Sequence, residues 1–373
     1  MTRILIILRT LWTAGAQRIA INEYRWLKKL GYEPKLIFLR GTNTKGYEEM
    51  LKDIDYKVIR EGQGIFTPIF YVGTKMFARD RGIESTVDLD LIMKISGIAK
   101  EEKADYLICH DQFTAIGCLK AFERNKIPFS VFVHEKVTNY SLPILGKIIN
   151  NLEKKVFIKA KKVFAVTDKV ARTIYEKHGI NAISNYPGMD KISEKSFREK
   201  ENYLITVSFW DLGRKPWDYI EVIKNVDDYK LLFVGNWRVK KAKEYFLKKV
   251  KEEGIESKVE MLEGVSESKL HELYDKSKFL IRFGYGEYGL ATPFIEAMQH
   301  TLPVIINDEL GTANLATRYN VGLVIYGINI KEIKEFLKNM NENKYKELQL
   351  GIAKIQKEYT WENHTKKLVE GIT

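Results

Sequence analysis

Cysteine is nearly missing from this chain. Cys109 and Cys118 are the only two, too few for the disulfide framework of a small secreted scaffold. Both lie in apolar surroundings and read as buried thiols of a reducing compartment. Long apolar runs are missing too: no stretch reaches the roughly 18 residues that a membrane-spanning helix needs. The opening MTRILIILRTLW is too short for a signal peptide and reads as a first strand. Zinc-finger spacing, an RNP-like motif and a helix-turn-helix signature are absent, which argues against nucleic acid as a partner. Neither a GxGxxG fingerprint nor a P-loop lysine motif occurs. Low-complexity segments and linear repeats are also lacking.

What is present is a globular composition. Of 373 residues, 45% are hydrophobic and 29% charged, a balance that excludes a disordered chain. The length exceeds what one core usually holds and predicts two domains of about 150–200 residues. The formal net charge of +12 favours anionic partners, with phosphorylated substrates and anionic lipid headgroups the classes that remain. A merely solvated lysine-rich surface is the plain alternative.

Short apolar runs alternate with amphipathic stretches along the whole chain. In the first half, Ile4–Leu8, Pro34–Leu39, Tyr56–Ile59, Tyr106–Cys109, Phe129–Val133 and Val163–Val166 read as strands. Ala16–Leu30, Leu89–Lys100 and Ala115–Asn125 read as helices, and another follows the last strand through Lys177. The glycine-bearing stretch Glu61–Ser85 breaks the rhythm and reads as a long, substrate-facing loop. A polar boundary, SEKSFREKEN, precedes a second alternation. Its strands are Tyr203–Ser208, Lys230–Val234, Val259–Leu262, Phe279–Phe283, Pro303–Ile306 and Gly322–Val324, with helices between and after them. Such alternation predicts mostly parallel sheets covered on both faces. The fold class expected is therefore α/β, with two facing Rossmann-like, doubly wound domains and an interdomain cleft. In such sheets ligands sit beyond the carboxyl ends of the strands.

Four groups of residues fall at those strand ends. Thr13, Gly15, Gln17 and Arg18 follow the first strand and open the first helix, where glycine admits a ligand and the helix N-terminus favours an anion. His110–Asp111 and His134–Glu135 each follow an apolar strand. A histidine there accepts a proton or binds an oxygen, and no third ligand at metal spacing accompanies them. Ser208, Arg214 and Lys215 follow the first strand of the second half, and Asn236 and Arg238 the next. Two cations at a strand–helix turn suit a phosphate clamp. The richest run is Arg282–Met298. Glycines 284, 286 and 289 form a close-approach loop around Glu287 and Tyr288. Gly289, Leu290 and Ala291 offer backbone N–H groups at a helix start, and Glu296 lies in the first turns behind. Carboxylates at these places accept hydrogen bonds from ribose and sugar hydroxyls. An acid–base pair of Glu287 and Glu296 is the weaker alternative, since nothing sets their separation.

The run Gly286–Met298 resembles the Glu-containing signature of retaining glycosyltransferases with two Rossmann-like domains (the GT-B type), family 4. Thr13–Arg18 resembles that family's glycine-rich N-terminal loop. Phe164–Thr167 with Asn185–Asp190 resembles the end of its first domain. Pro303–Ile305 and Glu309–Thr312 resemble the next donor-site segment, and Tyr359–Glu362 the segment where the last helix crosses back. In order, these cover most of the chain.

The resemblance implies a nucleoside diphosphate sugar bound mainly to the second domain, an acceptor bound mainly to the first, and retention of anomeric configuration. It implies no cofactor and no metal. By that mapping Glu296 holds ribose, Glu287 the sugar and Lys215 the diphosphate. His134 lies near the reacting sugar, and Gly15 lets the donor approach. The catalytic set expected is His134, Glu287, Arg214 and Lys215. The rest of the donor set is Gly15, Ser208, Asn236, Arg282, Tyr288, Gly289, Leu290, Ala291 and Glu296. The acceptor-side set is Thr13, Gln17, Arg18, His110, His134 and Glu135. Three features depart from the family. Eight residues rather than seven separate Glu287 from Glu296. Ser208-Phe209 replaces a Gly-Arg pair, with Arg214 as the substitute cation, and Arg282-Phe283 replaces a Pro-Ser-like pair.

The expected domains are 1–192, 193–356 and a returning C-terminal helix, 357–373. Tyr140–Lys162 mixes leucine, isoleucine and phenylalanine with six lysines, as an interfacial segment on anionic lipid would. A cytoplasmic enzyme, peripheral on the inner membrane face and acting on a glycan or lipid-linked acceptor, is the expectation. A non-catalytic nucleotide-sugar-binding subunit and a sugar-nucleotide epimerase of the same architecture are the alternatives.

Overall fold

The computed structural model describes residues 1–11, 15–41, 48–61, 89–139 and 144–372. Thr13 and nearly all of the Glu61–Ser85 loop lie outside the described residues. The chain forms two compact units, one of Met1–Pro187 with Trp361–Thr373 and one of Gly188–Thr360.

The first unit runs β1 (Arg3–Thr10), α1 (Gly15–Lys29), β2 (Glu33–Arg40), α2 (Glu48–Leu51), β3 (Tyr56–Val58), α3 (Leu89–Ile92), α4 (Ile95–Glu101), β4 (Tyr106–His110), α5 (Thr114–Asn125), β5 (Phe129–Val133), α6 (Leu145–Lys159), β6 (Lys162–Ala165), α7 (Asp168–His178) and β7 (Ile183–Ser184). Its strands pair in the order β3-β2-β1-β4-β5-β6-β7, all parallel. β4 and β5 are buried along their whole length, which is why they read as continuous apolar runs rather than alternating ones. The single helix expected over Leu89–Lys100 is two short helices. A turn at Met93–Lys94 between them lets Leu91, Ile92, Ile95 and Ala99 all bury.

The cysteines also differ from expectation. Cys109 at the end of β4 and Cys118 in α5 are joined, with sulfurs 1.96 Å apart and Cα atoms 6.9 Å apart. The connection from β4 folds α5 back over the strand it has just left, and that return sets the second turn of the helix on Cys109.

The second unit runs β8 (Glu201–Val207), α8 (Trp217–Lys224), β9 (Lys230–Val234), α9 (Lys240–Glu252), β10 (Val259–Leu262), α10 (Glu267–Lys276), β11 (Ser277–Arg282), α11 (Thr292–Gln299), β12 (Val304–Asn307), α12 (Ala313–Tyr319), β13 (Gly322–Ile325), α13 (Ile330–Lys338) and α14 (Glu342–Glu358). The order β10-β9-β8-β11-β12-β13 is again parallel throughout. An aromatic core lies beneath its ligand edge. Trp210 is fully buried and stacks on Phe233 at 3.9 Å between ring centres, with Tyr219 edge-on at 5.4 Å.

The last helix, α15 (Trp361–Val369), rejoins the first unit and packs on α1. In each sheet the strand order reverses beside its first strand, between β1 and β4 and between β8 and β11. That reversal opens a crevice at the carboxyl ends of the strands.

Candidate functional site

In the second unit the loops leaving β8, β9 and β10 are laced together at this edge. The Ser208 backbone N–H donates to the Val234 carbonyl, and the Trp210 N–H to the Asn236 carbonyl. The Asn236 side-chain oxygen accepts from the Gly264 N–H at 2.9 Å. Gly235 is needed here: its φ is +123°, and a Cβ would meet the Ser208 carbonyl oxygen at 1.8 Å. The next turn, Leu212–Arg214, is capped by Asp211, whose Oδ1 accepts from the Arg214 N–H at 3.1 Å. Just past this turn, Lys215 Nζ stands 4.5 Å above the Tyr285 ring.

Arg214 ends on Glu287, ion-paired through Nη1 and Oε1. The other carboxylate oxygen of Glu287 takes a 3.0 Å hydrogen bond from Arg282 Nη2. Arg282 is 3% exposed and also donates to the Phe283 carbonyl at 3.0 Å. Three sequence candidates from two separate runs thus form one cluster carrying two cations and one carboxylate. Burial pulls the Arg214 guanidinium down to about 10, and the like charge of Arg282 adds to the effect. Arg214 is a cation at neutral pH all the same.

The glycine-rich loop around Glu287 is pinned from below. Asn307 accepts from the Gly284 N–H at 2.7 Å and donates back to its carbonyl at 2.9 Å. Glu309 accepts from the Gly286 N–H at 2.7 Å, and the Gly311 N–H donates to the Glu287 carbonyl at 2.8 Å. A Cβ on Gly311 would meet the Tyr288 carbonyl oxygen at 2.0 Å, so this close approach requires glycine. Gly289, Leu290 and Ala291 lead directly into α11. Glu296 stands apart from Glu287 in α11, 7% exposed, and accepts a 2.7 Å hydrogen bond from the Tyr274 hydroxyl.

In the first unit His110 and His134 are in contact, Nδ1 of one 2.8 Å from Nε2 of the other. Beneath them lies Glu23 of α1, fully buried. Its Oε2 is 2.7 Å from His110 Nε2, and its Oε1 is 2.8 Å from Nε2 of His364 on α15. Burial alone would raise the Glu23 carboxyl. Hydrogen bonds from both imidazoles, and the positive charge carried between them, outweigh it and hold the group far below the ordinary carboxylate range. Burial pushes His134 well below the ordinary histidine range. Positive charge around it, that of Arg9 included, pushes the same way, and the Glu23 carboxylate pulls against it.

His110, expected at an accessible strand end, is 2% exposed and lies beneath His134, because β4 carries one residue more than its apolar run suggested. Gln17 is anchored by its Nε2 to the Thr10 carbonyl at 2.7 Å. Gly15 begins α1, Arg18 follows in the same turn, and Glu135 is exposed after His134. Among the described residues no group of histidine, cysteine and carboxylate side chains is arranged to hold a metal ion.

Sequence reading missed Glu23, His364 and Tyr274, and also Tyr219, whose hydroxyl accepts from the Phe283 N–H at 3.0 Å beside Arg282. A signal existed for Glu23, which sits among the buried Ile19, Ala20, Tyr24 and Leu27 of α1. A carboxylate on a buried helix face needs partners.

Two doubly wound parallel sheets, one with a cation–carboxylate cluster at its switch point, define a two-domain Rossmann-like protein of the GT-B type. Family models narrow the class. The model of glycosyltransferase family 4 matches residues 13–185 and that of glycosyl transferases group 1 matches 189–357. The chain belongs to the family 4 glycosyltransferases.

It is 29% identical over 204 residues to the GalNAc-alpha-(1->4)-GalNAc-alpha-(1->3)-diNAcBac-PP-undecaprenol alpha-1,4-N-acetyl-D-galactosaminyltransferase of Campylobacter jejuni subsp. jejuni serotype O:2. That match takes in 53% of this chain and 54% of the relative, so the chain spans about half the length of the curated relative it matches. Among solved structures, Anabaena Alr3699/HepE in complex with UDP and glucose superposes with a TM-score of 0.75 at 13% identity, covering 99% of both chains. The lipopolysaccharide outer core galactosyltransferase WaaB, in its apo form, gives 0.69 at 16% identity with 98% of both chains covered. At these identities the superpositions show the fold.

Proposed function

We propose that this glycosyltransferase moves a sugar from a nucleoside diphosphate sugar to a lipid-linked or polysaccharide acceptor, with retention of anomeric configuration and without a metal. The observation that carries the reading is the cluster of Arg214, Arg282 and Glu287 at the switch point of the second unit, with Glu296 in the second turn of the helix behind it.

In this reading the diphosphate lies against Arg214 and Lys215, and the N-terminus of α11 faces it with backbone N–H groups. As the bond between sugar and phosphate breaks, negative charge gathers on the leaving diphosphate. Fixed cations stabilise that charge more in the transition state than in the bound substrate, which is the work a divalent ion would otherwise do. Glu296 accepts from the ribose hydroxyls. Glu287 accepts from sugar hydroxyls once Arg214 turns toward phosphate. The Ser208-Phe209 pair lacks the family's cation, and the contact of Arg214 with Glu287 supports Arg214 as its replacement. Gly15, Asn236, Tyr288, Gly289, Leu290 and Ala291 complete the donor side. Thr13, Gln17, Arg18, His110, His134 and Glu135 form the acceptor side, with His134 nearest the reacting groups.

The undecaprenol-linked substrate named for the Campylobacter relative supports a lipid-linked acceptor. So does α6. Ile148 and Ile158 are 56% and 59% exposed, and Ile144 just ahead of the helix is 77% exposed. Lys147, Lys154, Lys155 and Lys159 are exposed around them. Val156 and Phe157 meanwhile bury on the opposite side. This two-sided apolar helix supports a peripheral seat on an anionic, cytoplasmic membrane face. Among the described residues no helix is long and apolar enough to cross a membrane.

The test is transfer itself. The protein is incubated without added metal, with UDP-, GDP-, ADP- and dTDP-sugars and undecaprenyl-linked or polysaccharide acceptors. Product is read by mass spectrometry, and its anomeric configuration by NMR. Transfer with retention, lost in Glu296→Ala, is expected. Donor binding without turnover would replace the reading with that of a binding subunit.

A further inference from the structure

Four side chains from separate elements meet inside the first unit: Glu23 of α1, His110 at the end of β4, His134 after β5 and His364 of α15. Their protons follow from counting donors and acceptors. A charged carboxylate only accepts, so Nε2 of His110 and Nε2 of His364 both carry a hydrogen toward Glu23. His364 Nδ1 lies 2.9 Å from the Tyr186 carbonyl, which also only accepts, so it carries a hydrogen too. His364 is therefore an imidazolium, and with Glu23 it makes a neutral pair. A second positive charge on the buried His110 would leave the enclave with a net charge and no partner, at a cost of several kcal/mol in such surroundings. Neighbouring Arg9 offers no relief, being a cation already paired with Asp111 at 2.6 Å. His110 is then neutral, its single proton is committed to Glu23, and its Nδ1 is a bare acceptor. His134 Nε2, 2.8 Å away, has to donate.

We infer that Glu23, His110 and His364 are positioning residues that lock His134 into its Nε2–H tautomer, so that it meets substrate through a proton-free Nδ1. This rests on the reading that places His134 beside the reacting groups. A nitrogen of that kind accepts from a hydroxyl of the sugar or acceptor and is repelled by an anionic oxygen. Of the four side chains, His134 alone is only half-buried. The downward push that burial gives it keeps it uncharged at neutral pH. The imidazoles are also held from the side, with Phe132 5.5 Å from His110, 4.9 Å from His134 and 5.6 Å from His364 between ring centres. The C-terminal helix thereby acts on His134 through three intervening groups.

The test is imidazole NMR on the full chain labelled with 15N-histidine, without substrate. Signals are assigned by their loss in His134→Asn, His110→Asn and His364→Asn. The expected spectrum at pH 7 has His134 and His110 as neutral Nε2–H tautomers and His364 as an imidazolium. Glu23→Gln, which keeps shape and removes charge, is expected to deprotonate His364 and mix the His134 tautomers. Its kcat should fall roughly 10-fold with the donor KM within about twofold. A wild-type His134 in the Nδ1–H or charged form overturns the inference, whether or not any variant folds. So does a folded Glu23→Gln protein with unchanged tautomers and kcat. His134→Ala with undiminished transfer would instead remove His134 from the reacting centre, an outcome the spectrum distinguishes.

Discussion

Arg282 Nη2 lies 3.0 Å from Glu287 Oε2, while the other oxygen of the same carboxylate holds Arg214. One half-buried carboxylate therefore bridges two guanidinium groups, and the cluster keeps a net positive charge for a donor phosphate to meet. Replacing Glu287 by Gln frees both cations. If phosphate competes with Glu287 for Arg214, as proposed, the variant should bind UDP about 3- to 10-fold more tightly by calorimetry, a gain of about 1 kcal/mol. It should also lose transfer by at least 10-fold. UDP bound more weakly would show that Arg214 does not reach the diphosphate.

The Tyr274 hydroxyl donates to Glu296 at 2.7 Å and sets the orientation of that carboxylate. Tyr274→Phe removes one hydrogen bond to a charged group, worth about 1.5 kcal/mol. The donor KM should rise about 10-fold and kcat should change little. Glu296→Ala removes the carboxylate proposed to hold ribose and should raise the donor Kd further, by roughly 100-fold. Steady-state kinetics on both variants checks the order.

Stability should fall as pH drops through the ordinary histidine range. Folded His134 stays neutral, enclosed by Glu23, His110, His364 and Arg9, with its pKa held below 6.5. The unfolded chain takes up a proton at that position below about pH 6.5, so it binds more protons than the folded chain there. The folded state is then weakened by about 1 kcal/mol between pH 7.5 and 5.5. Glu23 does not contribute in this window, because its depressed pKa costs stability only as pH falls below its ordinary value of 4.5. Urea titrations at the two pH values measure the difference; burial also holds His300 below the ordinary histidine range and adds to it, so His134→Asn should lessen it without abolishing it.

Ile148 and Ile158 should carry membrane binding. Glu at both positions removes two exposed apolar side chains from α6 and leaves its buried face intact. Co-sedimentation with vesicles containing phosphatidylglycerol should drop several-fold, and wild-type binding should weaken as salt rises. Wild type that fails to sediment even at low salt would contradict a seat on the membrane.

Continuous apolar strands made the two sheets legible, since a fully buried parallel strand leaves an unbroken run in the chain. Glycines 284, 286 and 289 marked the loop after β11, while Gly235, where a Cβ would meet the Ser208 carbonyl oxygen, escaped notice. What stayed hidden depends on pairing across distance. Glu23 and His364 are 341 positions apart, and nothing local to either shows that α15 returns to α1 at that register. Arg282, expected on the donor side, shares Glu287 with Arg214 and also donates to the Phe283 carbonyl, a joint pairing that no local pattern displays. The short strand Ile183–Ser184 and the helix Ala313–Tyr319 also escaped notice, each being too short for a periodicity to emerge.

The measurement that bears most directly on the account is the thermal shift of the full chain with UDP-, GDP-, ADP- and dTDP-sugars, run in parallel on Arg214→Ala and Glu296→Ala. One nucleotide sugar should raise the wild-type Tm by several degrees at saturating concentration, and both substitutions should abolish that rise. If no nucleotide sugar stabilises the wild type, or if the variants respond as it does, the donor site is not the one described.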